Sequence, residues 1–389
     1  MPQASRRLFQ ASLVLFVITV VIGILNGLDV WEPPPGALIT HVHAGTLGWI
    51  TLAVFGGAIW MQGGEGADTL ATYSVFAIAA YVLAFWSVDL TSPTTIQRPI
   101  GGTLAFIAIV WMLVWYFRTQ RGRAWTVAQL GMGLALVFVT LGAILGVLLG
   151  LQLADVNVVG QENTEALGGA HPATMVIGFV ILAALAIAEW RLEGDAARTV
   201  AEDKLGVTQM LLVFLAGFLG MIGLLFDVTP LIIANVPFEV IGILIVLWRL
   251  RRHLAPSAWA AEPSRFARTA VLGLVPTVAL TAMVVQNFAS GAELTDFEHI
   301  LIALDHSTFL LVATMLILAM MVGGSEVSRT GATVMYYGLL IGALGFVVGL
   351  LAESAVMKRI FTPILGLALL HAIVTLLRAG DRKSAAPAS

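Results

Sequence analysis

About twelve stretches of roughly twenty apolar residues follow one another along this chain, the length an α-helix needs to cross the hydrocarbon core of a bilayer. They run near 8–28, 41–61, 69–89, 98–117, 127–151, 167–190, 205–226, 229–249, 269–289, 299–323, 331–352 and 360–378. Lipid offers no water to exposed N–H and C=O groups, so such segments must satisfy their backbone internally, as helices do. The 389 residues are 59% hydrophobic and 11% charged, where a soluble domain carries roughly 25% charge. The expected fold is all-α and polytopic: one transmembrane domain over 1–380, then a disordered cytoplasmic tail at 381–389.

Charge orients the chain. Seventeen of the twenty Lys and Arg residues fall on one side of the proposed spans; Arg98, Lys358 and Arg359 fall on the other. Basic loops stay in the cytoplasm, which places both termini there and the protein in an inner or plasma membrane. Arg6 and Arg7 precede the first stretch and no small-residue cleavage site follows it, so it reads as a retained helix. The net charge of −3 and the lack of a basic run exclude a nucleic-acid partner. Membrane lipid is expected around the chain, with an electron-donor protein or second subunit as partner. Cysteine is absent, which excludes disulfides, iron–sulfur clusters, thiolate-ligated haem and covalent c-type haem. Any metal must rest on His, Met, carboxylate or backbone oxygen. The tryptophans lie mostly near span ends and read as an interfacial belt.

Histidines carry the rest of the reading. His41 and His43 open the second span, His171 lies early in the sixth, and His299 and His306 lie early in the tenth. These spans are four apart, which suggests three similar arcs of four helices. They run the same way, so their imidazoles share the outer part of the membrane. An imidazole there is costly to desolvate and calls for a metal, a haem or a hydrogen-bond acceptor. His41 and His43 are about 200° apart on a helix and cannot both face one centre. The deeper His43 is taken as inward-facing, and His41 as a cap or headgroup contact. Gly168 and Gly169 before His171-Pro172 suggest that the sixth helix starts there. Met175, one turn on, is a ligand or core filler. His299 reads as solvated. Asp305 is expected to orient the histidine of another helix. His371 in the twelfth span is either a packing residue or part of the site. His253 reads as surface. Glu239, after Asn235 and Pro237, either relays protons or satisfies a Pro-broken backbone. Asp89, Asp227 and Glu353 read as solvated span ends.

Twelve spans with histidines on the second, sixth and tenth resemble the catalytic subunit of haem–copper oxidases and its nitric oxide reductase relatives. His43-Ala44 resembles that family's low-spin haem ligand region. His171-Pro172 with Met175 is similar to its His-Pro-Glu-Val-Tyr motif, whose His binds copper. His306-Ser307-Thr308-Phe309 resembles the start of its His-Asp-Thr-Tyr motif. The chain also resembles short subunit-I-like proteins and the NnrS-type haem–copper membrane proteins, which lack oxidase activity and act in nitric oxide stress. The family's His-His pair in span 7 is missing from Thr208-Gln209-Met210-Leu211, and its His-x-His in span 10 is Thr314 and Leu316 here. A full oxygen-reducing centre is therefore not expected. The resemblance implies an oxidase-subunit-I-like architecture and haem b, with copper as an optional second metal. It implies His43, His171 and His306 as metal ligands and His41 and His371 as further cofactor contacts. It also implies electron transfer, or handling or sensing of nitric oxide or oxygen. The rival reading is a twelve-helix transporter with a histidine proton relay, which would be built from two related six-span halves.

Overall fold

The computed structural model describes residues 1–86, 96–194, 197–255, 259 and 263–380, with the side chains of 85 and 86 left aside. The tail reading at 381–389 and the solvated reading of Asp89 therefore lie outside the described residues. The described elements are helices, with one isolated bridge between Thr126 and Thr199 and no strand. Eleven helices are long and apolar enough to cross a membrane: α1 (Gln3–Gly27), α2 (Pro35–Met61), α4 (Gln97–Gln120), α5 (Val127–Leu153), α6 (Gln161–Glu193), α7 (Lys204–Leu225), α8 (Thr229–Leu254), α9 (Ser264–Ala289), α10 (Leu294–Gly324), α11 (Arg329–Leu351) and α12 (Ala355–Arg378). A shorter apolar helix, α3 (Asp68–Trp86), lies between α2 and α4. The chain is a multi-pass membrane protein.

In chain order the twelve helices fall into three sets of four, α1–α4, α5–α8 and α9–α12, called arcs below. Within the arcs, α3 packs on α4, α7 on α8 and α11 on α12; between them, α4 packs on α5, α8 on α9, and α12 returns to α1 and closes a ring. α2, α6 and α10 stand inside that ring and touch one another. They bury 72, 78 and 89% of their most apolar stretch, against 33–56% for the other long spans. Helices that are apolar all round belong at such a centre.

Each central helix widens into π-helical turns near its middle: Ala44–Thr51 in α2, Thr174–Val180 in α6 and Ser307–Thr314 in α10. A π turn carries an extra residue, re-aims the side chains around it, and often marks a functional position. The peripheral helices are capped conventionally. Thr126 and Gln129 form a reciprocal capping box on α5, and Asp203, Ser328 and Ser354 cap α7, α11 and α12. Asp29, Asp155, Asp227 and Glu353 follow α1, α5, α7 and α11 in left-handed conformation. This conformation suits a helix C-terminus and is tolerated by short polar residues such as Asp. Asp227 and Glu353 are exposed, as expected for span ends.

Two expected helix starts are corrected. α2 begins at Pro35, so His41 and His43 lie inside it and neither caps it. α6 begins with a 3₁₀ turn at Gln161, and Pro172 sits within the helix. Pro at N1 is favourable there for α2, because that position has no N–H partner to lose.

Candidate cofactor site between the central helices

The first two arcs repeat one helix-pair register. In the first, Gly48 of α2 meets Leu15 of α1, Gly45 meets Thr19, and a carbon added to Gly23 would stand 3.1 Å from Cε1 of His41. In the second, Gly178 of α6 meets Phe138 of α5, Met175 meets Gly142, and a carbon added to Gly146 would stand 2.7 Å from Cε1 of His171. Thr19 and Gly142 thus hold the same place, and so do His41 and His171. Nδ1 of His41 lies 2.9 Å from the Thr19 carbonyl, and Nδ1 of His171 lies 2.8 Å from the Gly142 carbonyl.

The third arc follows with volumes exchanged. Gly273 of α9 meets Leu311 of α10, and Thr277 lies 3.4 Å from Ser307. Five residues before Gly48, Gly178 and Leu311 stand His43, Ala173 and His306; seven before stand His41, His171 and Leu304. His43 and His306 share a geometry of their own. Their Nδ1 atoms lie 2.9 and 2.8 Å from the carbonyls four residues back, Ile39 and Ile302.

His41 lies within electrostatic range of His306, and His43 within that of His171, which sorts the four imidazoles into two pairs. Each pair joins one ring held by the preceding helix to one held by its own. Both rings of a pair use Nδ1 on a carbonyl. That fixes the tautomer with Nδ1 protonated and Nε2 as the lone-pair nitrogen. Around the first pair, Phe346 lies against His306 at 5.1 Å between ring centroids. Around the second, Tyr81 meets His43 edge-on at 5.4 Å, and the buried Arg98 brings its charge to His43.

His41 and His43 therefore do not divide into an inward ring and a cap: both join pairs, on opposite sides of α2. The orienting role expected of Asp305 is taken at all four Nδ1 atoms by backbone carbonyls. Met175 is core filler, its sulfur against Gly142. His371 shares no interaction with the four among the described residues, and its buried Nε2 has no hydrogen-bond partner. His299 is partly exposed near the start of α10. His253 pairs with Glu193 at 3.2 Å near the end of α8. Glu239 does not mend the backbone around Pro237, because both its carboxylate oxygens are buried without a hydrogen-bond partner among the described residues. Trp49 departs from the belt reading. It is buried, stacks on Phe16 at 4.4 Å, and donates from Nε1 to Thr314 Oγ1 at 2.9 Å, tying α2 to α10.

No group of three His or acidic side chains that could hold a metal ion occurs among the described residues. A protein-bound metal ion of the zinc or copper kind needs three or four ligands from the chain. A haem iron takes four nitrogens from its own macrocycle, so two histidines complete it. The paired arrangement matches the second demand. Thr19, Gly142, Gly23 and Gly146 were not singled out by sequence reasoning. Their signal is the shared spacing of four between Thr19 and Gly23 and between Gly142 and Gly146. No protein-family model matches the chain, and no curated protein matches it in sequence.

Proposed function

We propose that the chain is a haem-binding electron-transfer protein of the inner or plasma membrane, related in architecture to subunit I of the haem–copper oxidases. Haem b would be held between α2 and α10 by His41 and His306. The observation that carries this is the pair itself: two imidazoles on facing central helices, each fixed through Nδ1 by a carbonyl, leaving Nε2 for iron. Carbonyl acceptors of this kind orient the ring and raise its basicity. Three arcs of four, instead of two halves of six, also support this reading over a transporter.

When bound, haem supplies one-electron chemistry. With two histidines, His41 and His306, to hold it, the group would supply electron transfer in preference to binding of nitric oxide or oxygen. With both termini cytoplasmic, the site lies in the outer half of the membrane, and the donor would be a protein or subunit on that side. Copper has no matching ligand set among the described residues, and no step is assigned to it. The test is the optical spectrum of detergent-purified protein made with ample haem. A Soret band with sharp α and β bands on reduction is expected; no Soret band would remove this reading. His41→Ala and His306→Ala should each lower haem content, and unchanged content in both would move the site elsewhere.

A second reading rests on Glu239, a buried carboxylate with no hydrogen-bond partner. Such a group within a membrane span suits proton transfer. Glu239→Gln should leave the spectrum unchanged while abolishing any proton-coupled activity in vesicles.

A further inference from the structure

We infer that the chain binds the phosphate headgroup of an acidic phospholipid in a cavity at the ends of α6, α7 and α8. These ends lie on the side that the excess of Lys and Arg assigns to the cytoplasm. The site uses none of the histidines of the central helices and stands apart from the haem reading.

Charge is arranged in two layers around this cavity of about 450 Å³, a volume within the range of about 300–1,000 Å³ that small-molecule sites occupy. The inner layer is saturated. Arg249 of α8 reaches Glu189 of α6 and, at 2.5 Å, Asp203 at the start of α7. Glu189 also accepts from Gln209 at 3.1 Å, and Asp203 Oδ1 accepts the Gly206 N–H at 2.9 Å. The outer layer is basic. Arg252 pairs with Glu193, but Arg198 and Arg251, both exposed, have no bonded carboxylate among the described residues. Asp203 and the exposed Glu202 lie within electrostatic range of Arg198. Both Asp203 oxygens are already taken, however, and Glu202 bonds Thr199. Four arginines against three carboxylates give the lining a net charge of +1, with the unpaired cations at its exposed edge. A phosphodiester, with one negative charge, balances it.

The two unpaired guanidiniums are positioned before any ligand arrives. Arg251 lies over the Trp248 ring, 3.9 Å from its centroid, and donates from one nitrogen to the Trp248 carbonyl at 2.6 Å. Its remaining N–H groups form the planar fork that suits a phosphate. Arg198 sits in the loop between α6 and α7, and this loop is pinned to the start of α5. The Val127 N–H donates to the Arg198 carbonyl at 3.2 Å, and the Val200 N–H to the Trp125 carbonyl at 2.8 Å. The cavity is therefore bordered by cations from two separate elements, each with a fixed backbone.

Its apolar lining points to a lipid as the source of the phosphate. Leu205 and Trp248 line the same cavity and are 43 and 61% exposed. Both lie near span ends, where a Trp ring sits at headgroup level. A lipid can place its phosphate on the arginines and its chains on these two side chains. A soluble phosphate compound gains nothing from them. Basic pockets between spans on the cytoplasmic side recognise acidic headgroups by this combination.

The experiment is native mass spectrometry of the full-length chain in detergent, titrated with phosphatidylglycerol, phosphatidylcholine or inorganic phosphate. Saturable binding of phosphatidylglycerol is expected, well ahead of the other two. A cation beside an acidic headgroup counts for about fivefold in affinity, so Arg198→Gln/Arg251→Gln should weaken it by about thirtyfold. Arg121→Gln/Arg123→Gln, exposed on the same side but outside the cavity, should leave it unchanged. Thermal unfolding without added lipid checks the fold of each variant. If the first double variant has lost its fold, Leu205→Glu serves instead. It brings a negative charge to the cavity in the first turn of α7, where the helix dipole accepts one, and should also weaken phosphatidylglycerol. Equal binding of phosphatidylcholine would overturn the site, and so would equal losses in the two double variants. Inorganic phosphate binding as tightly as phosphatidylglycerol would overturn the lipid as its occupant.

Discussion

Gly146→Ala isolates the space the His171 ring needs if it serves as the ligand that the family resemblance implies. The added carbon would stand 2.7 Å from Cε1 of His171, about 1 Å inside the 3.5–4.0 Å at which carbon atoms rest. A shift of that size at Cε1 carries Nδ1 away from the Gly142 carbonyl, now 2.8 Å distant, past the 3.2 Å or so where such a bond weakens. Losing it costs about 1 kcal/mol as a plain hydrogen bond. For a ligating histidine, losing the partner that orients it typically costs about 10–100-fold in affinity. Gly23→Ala is the graded control: its carbon would stand 3.1 Å from Cε1 of His41, so a few tenths of an ångström restores contact, and a loss under about tenfold is expected. Neither change weakens the helix itself, because Ala is favoured over Gly in a helix by about 1 kcal/mol. The assay is haem titration of apoprotein followed at the Soret band, with thermal unfolding of the apoprotein as the control for fold. Full affinity in Gly146→Ala, or a larger loss in Gly23→Ala, would refute the reasoning.

Three further outcomes follow from groups away from the histidines. Arg249 binds Glu189, Asp203 at 2.5 Å and Gln209 at 2.7 Å, with both carboxylates buried; Arg249→Leu strands them and should cost about 3–5 kcal/mol, read by denaturant unfolding in detergent. Burial alone would raise the Asp203 carboxyl, but the Gly206 N–H and Arg249 outweigh it and hold it below its ordinary range. Its contribution is therefore complete above the unfolded value near pH 4 and is lost as pH falls through the lower folded value; Asp203→Asn should flatten the stability profile in that acid range, as measured by unfolding against pH. Glu239→Leu removes buried oxygens that have no partner and should stabilise the protein by on the order of 1–3 kcal/mol, seen as a higher unfolding midpoint.

Element type was legible, and so were eleven of the twelve expected spans, because a membrane span is a property of composition over about twenty residues. Helix starts were not, because Pro35 and Pro172 look alike on the page: one opens α2, while the other is carried inside α6. The four paired histidines were all visible as candidates. Their pairing was not, because it depends on which face of α2 each ring leaves, and a helix start misplaced by six residues hides that. The Nδ1 acceptors were illegible for a different reason. A carboxylate such as Asp305 announces itself by residue type, whereas the carbonyls of Thr19 and Gly142 belong to the backbone and become acceptors only through packing. The ion cluster of Glu189, Asp203 and Arg249 was missed because its members lie far apart in sequence on three elements.

The internal repeat is invisible residue by residue for a reason that also argues for it. At the crossing of the first two helices of an arc, one side must be small. The first arc uses Leu15 against Gly48 and the second Phe138 against Gly178, but the third uses Gly273 against Leu311. One turn on, Thr19 faces Gly45 where Gly142 faces Met175. At each crossing one side stays small while the residue opposite it changes, which is how packed interiors tolerate substitution. Identity between arcs is therefore erased at the positions that hold the helices in register. A histidine has no such freedom. It cannot trade places across the crossing without losing both its acceptor and its partner ring. Histidines at equivalent positions in a repeat whose packing residues differ call for a constraint other than packing, and the ligand proposed above would supply it.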